Sequence, residues 1–283
     1  IATDTICFRA WRINVGRCPL YLLDTNLPEN PAHYRDLTLR VYGGDTTTRV
    51  QQEILLGIGG VKLMRALGER PSVFHMNEGH AAFLSLELVH EKMVSGLSFD
   101  EALAATKGEC IFTTHTPVPA GHDRFSPELM SYSLTRYAKG LRLDHRELMA
   151  LGRVDPDDDD EQFCMTVLAL KTARATNGVS ELHGEVSREM WSALDDDIPR
   201  IDHITNGIHL LGWMKAEARE FWKPRLQAVV PDKNHFYERI NDAEFWQRVE
   251  DPHFISDEEL WSLRCRLRRE LVDFARERLI DNP

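Results

Sequence analysis

The sequence predicts an α/β fold built on a parallel sheet, and three observations carry that prediction. Ser72-Val73-Phe74-His75-Met76 is a short apolar run that breaks into the polar Asn77-Glu78-Gly79-His80. Residues 81–93 and a second stretch from Leu97 onward have helical spacing, enough chain to cross back over a sheet. Cys110-Ile111-Phe112-Thr113 is then another β-like run, opening into Thr114-His115-Thr116-Pro117-Val118-Pro119. In a parallel sheet, ligands bind at the loops beyond the carboxyl ends of the strands. Two such loops, each holding a histidine, predict one site.

Bulk properties narrow the class. The 283 residues suffice for one large domain or two smaller ones. A net charge of −11, from 34 basic and 45 acidic residues, argues against nucleic acid or an anionic membrane as partner. No apolar run approaches the ~20 residues of a transmembrane helix, and no signal peptide is read at the N-terminus. The five cysteines are scattered, with no CxxC pair, which reads as reduced thiols of a cytoplasmic protein.

Taken in order, residues 6–11 and 19–23 read as two strands joined through Val15-Gly16-Arg17. Residues 26–35 form a polar loop with Pro28 and Pro31. Val41-Tyr42-Gly43-Gly44-Asp45 makes a flexible joint before a helix that Thr46 to Thr48 can cap. Along it, Val50, Ile54, Ile58, Val61 and Met64 recur at helical spacing. Gly57, Gly59 and Gly60 each cost that helix about 1 kcal/mol against alanine, so three together predict close packing against another backbone. A phosphate-binding loop would need a strand before the glycines, and none is read there.

The helix beginning at Leu97-Ser98-Phe99 leads into the second strand, and residues 126–140 and 143–151 are two further helices. The acidic run from Asp155 to Glu161 reads as a solvated loop, because a calcium loop would need alternating ligands and a glycine bend. Residues 163–175 read as a buried helix ending at Asn177-Gly178. Near Pro199 the pattern changes. Ile201-Asp202-His203-Ile204 looks like a short strand entering Thr205-Asn206-Gly207, and everything beyond is helical. The last helix has a capping box, Ser256 with Glu259, and Leu260, Leu263, Leu267, Leu271 and Phe274 on one face. This divides the chain into 1–200 and 201–283. Starting at Ile1 and stopping at Pro283, it reads as an internal segment of something larger.

His75, His80, His115 and His122 lie in or beside the two loops, with Glu78 among them. Three chemistries stay open. A zinc site takes three protein ligands and an open position, although His75 to His80 is not the i, i+4 step that puts two ligands on one helix face. Asn77, Glu78, His80, Thr114, His115 and Asp123 could instead recognise a polar, hydroxyl-rich ligand, or be satisfied structural groups. There is no GxSxG elbow, and Cys110 lies in a buried strand. Asp45, Glu78 and Asp123 are near the site, but spacing does not pair them for glycoside hydrolysis. Arg153 lies in a loop remote from the site, and its replacement by alanine is expected to do little to turnover.

Longer motifs go further. Tyr42-Gly43-Gly44-Asp45 with Arg49 and Gln52-Glu53, Leu56-Gly57-Ile58-Gly59-Gly60, His75-Met76-Asn77-Glu78-Gly79-His80, the run from Thr113 to Asp123, the run from Asn177 to Gly184, and Ile204-Thr205-Asn206-Gly207-Ile208-His209 occur in consistent order. Together they resemble the α-glucan (glycogen) phosphorylases, the short bacterial and archaeal type in particular. The resemblance implies a glycosyltransferase-B architecture, two Rossmann-like domains with the active site in the cleft between them. Residues 1–200 would be the later part of the N-terminal glucan-binding and catalytic domain, and 201–283 the helical start of the C-terminal pyridoxal phosphate domain. It implies phosphorolysis of terminal α-1,4-linked glucose from glycogen or maltodextrin to glucose 1-phosphate, with pyridoxal phosphate acting through its own phosphate.

The partners implied are α-1,4-glucan, phosphate, glucose 1-phosphate and the rest of the C-terminal domain; the oligomeric state stays open, a homo-oligomer among the options. Carried over residue by residue, His115 would face the reacting glucose with its side chain and main-chain carbonyl, with Thr114 beside it. Asn206 would contact the 6-hydroxyl, Asp45 with Gly44 would sit in a gating loop, and His80 and Glu78 would lie beneath the site. No metal ligand is implied. The cofactor lysine has no counterpart here, so the chain alone is expected to be inactive. The alternatives are a nucleotide-sugar-dependent glucan synthase of the same architecture and a non-catalytic glucan-binding module.

Overall fold

Arg9–Val15 (β1) and Cys18–Asp24 (β2) pair residue for residue as an antiparallel hairpin, turned at Gly16 with φ 59°, a conformation glycine adopts without strain. The computed structural model describes residues 1–2, 4–41, 44–194 and 197–281, so Tyr42 and Gly43 of the glycine joint lie outside the described residues. A short helix, Ala32–Arg35 (α1), precedes that joint. Beyond it, Thr46–Ile54 (α2) runs through a π-helical turn, Leu55–Gly59, into Gly60–Ala66 (α3). The glycine expectation holds at one position in full. A Cβ on Gly57 would lie 2.7 Å from Leu84 N, whereas one on Gly60 would meet nothing within 4 Å among the described residues.

The sheet follows as predicted in kind. Phe74–Asn77 (β3), Leu84–Val94 (α4), Phe99–Glu109 (α5) and Cys110–Thr113 (β4) make the first strand–helix–helix–strand unit. Ser98 caps α5 in a reciprocal box with Glu101, satisfying two otherwise orphan amides. Phe74 and Met76 stand in register with Cys110 and Phe112, and all four are buried. Leu86, Leu88 and Val89 of α4 join the same core with Val167 and Leu168. A short antiparallel bridge, Arg124–Phe125 (β5) with Phe163–Cys164 (β6), encloses Pro127–Gly140 (α6) and His145–Ala150 (α7).

One element differs from the sequence reading. The helix expected over 163–175 is only Met165–Thr172 (α8); Ala173 turns extended, and Ala175–Gly178 forms a strand (β7) inside the sheet. Its Thr-Asn-Gly sequence lacks a β-branched apolar run and looks like a turn. Pairing with neighbours on both sides overrides that local preference. After Glu181–Met190 (α9), Asp202–His203 (β8) completes a four-stranded parallel sheet in the order β3-β4-β7-β8.

Arg153 anchors its own loop. It is 2% exposed, and its guanidinium donates to Glu161 O at 2.8 Å and Asp159 O at 2.7 Å. The Glu161 carboxylate in turn accepts the Val154 and Asp155 N–H groups, both at 2.9 Å. The acidic run is therefore a closed loop folded around a buried cation.

By contacts the chain divides into 1–206 and 207–283. The second unit is all helical: Leu210–Trp213 (α10), Ala216–Val229 (α11), Phe236–Ile240 (α12), Ala243–Val249 (α13) and Asp257–Asp281 (α14). Trp222, Leu226, Ile240, Phe245 and Ile255 form its core. Ser256 and Glu259 cap α14 as expected. Only the first part of its apolar face is covered: Leu263 is buried, while Leu271 and Phe274 are exposed. Among the described residues no helix is long and apolar enough to cross a membrane.

Candidate functional site

All four strands of the sheet run parallel, so the loops after β3, β4, β7 and β8 emerge at one edge. Backbone bonds tie them together. Glu78 N–H donates to Thr113 O at 2.9 Å, Thr114 N–H to Asn177 O at 3.1 Å, and Asn206 N–H to Val179 O at 3.1 Å. The topology thus brings Glu78, His80, Thr114, His115 and Asn206 to one end of the sheet. A cavity of about 510 Å³ opens there, lined by Arg49, Asn77, Glu78, His80, His115 and Asp123 among others. A second hollow of about 660 Å³, lined in part by Gly44, Asp45 and His122, shares Arg49 and Asp123 with it.

His115 and Asn206 are exposed, whereas Thr114 is buried and does not line the cavity. Asp45 is the N-cap of α2, accepting from Thr48 N at 2.8 Å and Thr48 Oγ1 at 3.0 Å. The Thr48 amide bond holds its carboxyl below the usual range. The capping expected of the threonines thus falls to Asp45. Gly44 has φ 92°, and a Cβ there would lie 2.6 Å from Thr48 Cβ, so the turn into α2 admits only glycine.

The centre of the site is a group the sequence named only in passing. Arg49 sits 3.0 Å from Asp123 Oδ2, 3.1 Å from Glu53 Oε1 and 2.6 Å from His80 Nδ1. Nδ1 also lies 3.1 Å from Asp123 Oδ2 and 3.5 Å from Glu53 Oε1. It cannot accept from Arg49 and donate to Asp123 at once. A neutral ring accepts the guanidinium N–H; a protonated ring turns that bond to the carboxylates. Asp123 and Glu53 favour the protonated form and push His80 up to about 9. Burial pushes Glu53 up to about 8, against the pull of its His80 bond. Burial also raises Asp123, but bonds from His80 and Arg49 outweigh it and hold that carboxyl far below the usual range.

Glu53, His80 and Asp123 are also close enough to one another to ligate a cation. Arg49 already supplies a positive charge to all three, and a metal would have to displace it. The four histidines of the sequence reading are not brought to one point. His75 Nε2 bonds Thr113 Oγ1 at 2.8 Å, and that hydroxyl donates to Asn177 Oδ1 at 2.9 Å across the sheet end. His122 is buried against Thr166 Oγ1 and edge-on to Trp191, and burial holds its pKa below the usual histidine value. The signal for Arg49 and Glu53 was their i, i+4 spacing on a helix that starts at the glycine joint.

No protein-family model matches the chain. It is similar to a maltodextrin phosphorylase of Thermococcus litoralis, 39% identical over 275 residues, 96% of this chain and 31% of that protein. It is likewise 39% identical over 288 residues to a glycogen phosphorylase of Mycobacterium tuberculosis, covering 96% of this chain and 32% of that one. A glycogen phosphorylase of Aquifex aeolicus is 31% identical over 280 residues, 98% of this chain and 39% of that protein. The chain spans about a third of the length of the curated relatives it matches.

Proposed function

Because this chain is related along nearly its whole length to the α-glucan phosphorylases, we propose that it supplies the glucan side of a phosphorylase active site. In the whole enzyme the reaction is phosphorolysis of a terminal α-1,4-linked glucose of glycogen or maltodextrin. The C1–O4 bond breaks, a phosphate oxygen bonds to C1, and the freed 4-hydroxyl takes a proton. The architecture is glycosyltransferase-B, with the parallel sheet in the first domain and 207–283 opening the second. The observation that carries this reading is the meeting of the loops after β3 and β4 at one polar cavity, lined by Asn77, Glu78, His80 and His115. Such a wall offers donors and acceptors to sugar hydroxyls.

His115 faces the glucose, its main-chain carbonyl toward the positive charge that develops at C1 and its ring toward a hydroxyl. Asn206, at the end of the same sheet edge, bonds the 6-hydroxyl. Asp45 and Gly44 form the lip of the site, and Thr114 holds the strand end beneath His115. His80 with Arg49, Glu53 and Asp123 forms the polar floor. Pyridoxal phosphate would supply a phosphate that exchanges a proton with the substrate phosphate. Among the described residues no lysine lines the cavity, so this wall does not fit the cofactor's Schiff base.

The test is a full-length phosphorylase carrying this sequence in place of its aligned segment. Phosphate-dependent release of glucose 1-phosphate from maltodextrin is expected. Elongation that needs a nucleoside-diphosphate glucose instead would identify a glucan synthase. Maltodextrin binding without either turnover would identify a glucan-binding module.

A further inference from the structure

Glu78 carries two burdens that a residue serving the fold alone would shed. Its backbone sits at φ 68° and ψ 168°, a region that is essentially glycine-only. One carboxylate oxygen, Oε1, is buried without a hydrogen-bond partner among the described residues, and an unsatisfied buried acceptor is destabilising. Glycine at this position would relieve both. Glycine, however, lacks what Glu78 does with its other oxygen: Oε2 accepts the His115 N–H at 3.0 Å and the Thr116 hydroxyl at 2.5 Å. Its own N–H donates to Thr113 O at 2.9 Å. One residue thus holds the end of β4 from the strand side and from the loop side. Its neighbour makes room for the turn: a Cβ on Gly79 would press within 3.2 Å of Met165 Cβ and Thr166 N.

We propose that Glu78 is the positioning residue of the His115 loop, its strained backbone kept so that its carboxylate fixes the His115–Thr116 main chain at the cavity wall. Clamping the His115 N–H orients that residue's main chain before any ligand arrives. The catalytic meaning of this rests on the phosphorylase reading, in which the His115 carbonyl meets the developing charge. The clamp itself does not.

The test separates positioning from stability in this 283-residue chain. Amide exchange at His115 and Thr116 is followed by NMR in the wild type, Glu78→Gly and Glu78→Gln, alongside the melting temperature. With the strain gone, Glu78→Gly is expected to melt at or above the wild-type temperature. Its His115 amide should nonetheless exchange about tenfold faster or more, the loss of a bond to a charged acceptor. Glu78→Gln, which keeps one acceptor oxygen, should fall between the two, and it alone decides the matter if the glycine variant does not fold. A merely structural residue would move stability and exchange together, across β3 and β4 alike. Unchanged His115 exchange in the folded variants, or a uniform rise through both strands, overturns the proposal. No turnover enters the measurement, so the clamp can stand where the phosphorylase reading falls, and the reverse.

Discussion

Replacing Gly57 and Gly60 by alanine, one at a time, should give changes of opposite sign although the two lie three residues apart on one helical run. A Cβ at Gly57 would meet Leu84 N at 2.7 Å and Phe83 C at 2.9 Å. Those are backbone atoms at the start of α4 and cannot swing aside. Overpacking of this kind costs about 1–3 kcal/mol, and occasionally more. The helix-propensity gain of about 1 kcal/mol offsets only part of it. At Gly60, φ is −61° and the space is open, so alanine should stabilise by about 0.5–1 kcal/mol. In a unit of this size each kcal/mol moves the melting point by about 2–4 °C. Gly57→Ala should therefore melt several degrees below wild type and Gly60→Ala slightly above it, by circular dichroism. The consequence reaches the site, because Arg49 and Glu53 ride on the same run. If Gly57→Ala proves as stable as Gly60→Ala, the close approach of this run to α4 is wrong.

The floor of the site should titrate. His80, pushed up to about 9 from 6.5, contributes stability that is full below 6.5 and lost as pH rises through 9. Glu53, raised from 4.5 to about 8, acts with the same sign, its contribution falling away as pH rises from 4.5 through 8. The melting temperature should thus decline across that window, and less steeply in Glu53→Gln, whose amide does not ionise. A His80 midpoint at or below 6.5 by NMR would mean that Arg49 keeps the ring as a neutral acceptor. Arg153→Ala should destabilise by about 1–3 kcal/mol, since the Asp159 and Glu161 carbonyls lose their donors; urea denaturation with an unchanged midpoint would contradict that.

Much of the sheet was legible because β3 and β4 are short apolar runs set between polar loops and helical stretches. The helix cap at Ser256 was legible for a similar local reason. What stayed hidden was non-local. β7 is a strand only because β4 and β8 flank it, and its own residues look like a turn. The burial of Arg153 was not legible, because nothing in the sequence says that the 159–161 backbone folds back over it. At the site, histidines drew attention to the two loops, yet the group with shifted pKa values is centred on Arg49, whose partner Asp123 lies 74 residues away. The strain at Glu78 left no trace in the sequence, since nothing local marks a glutamate for a positive φ.

The central claim is that the glucose site lies at the carboxyl edge of this sheet, between the loops that carry His115 and Asn206. Phosphorolysis kinetics in a full-length enzyme carrying this segment test it directly, with folding checked by circular dichroism. A polar group that meets a sugar hydroxyl more strongly in the transition state should affect turnover as well as binding. His115→Ala and Asn206→Ala should each lower kcat/KM by roughly 10- to 100-fold, about 1.4–2.7 kcal/mol. For His115 part of the interaction should survive, because changing the side chain leaves the main-chain carbonyl. Two folded variants with full kcat/KM would put the glucose somewhere else.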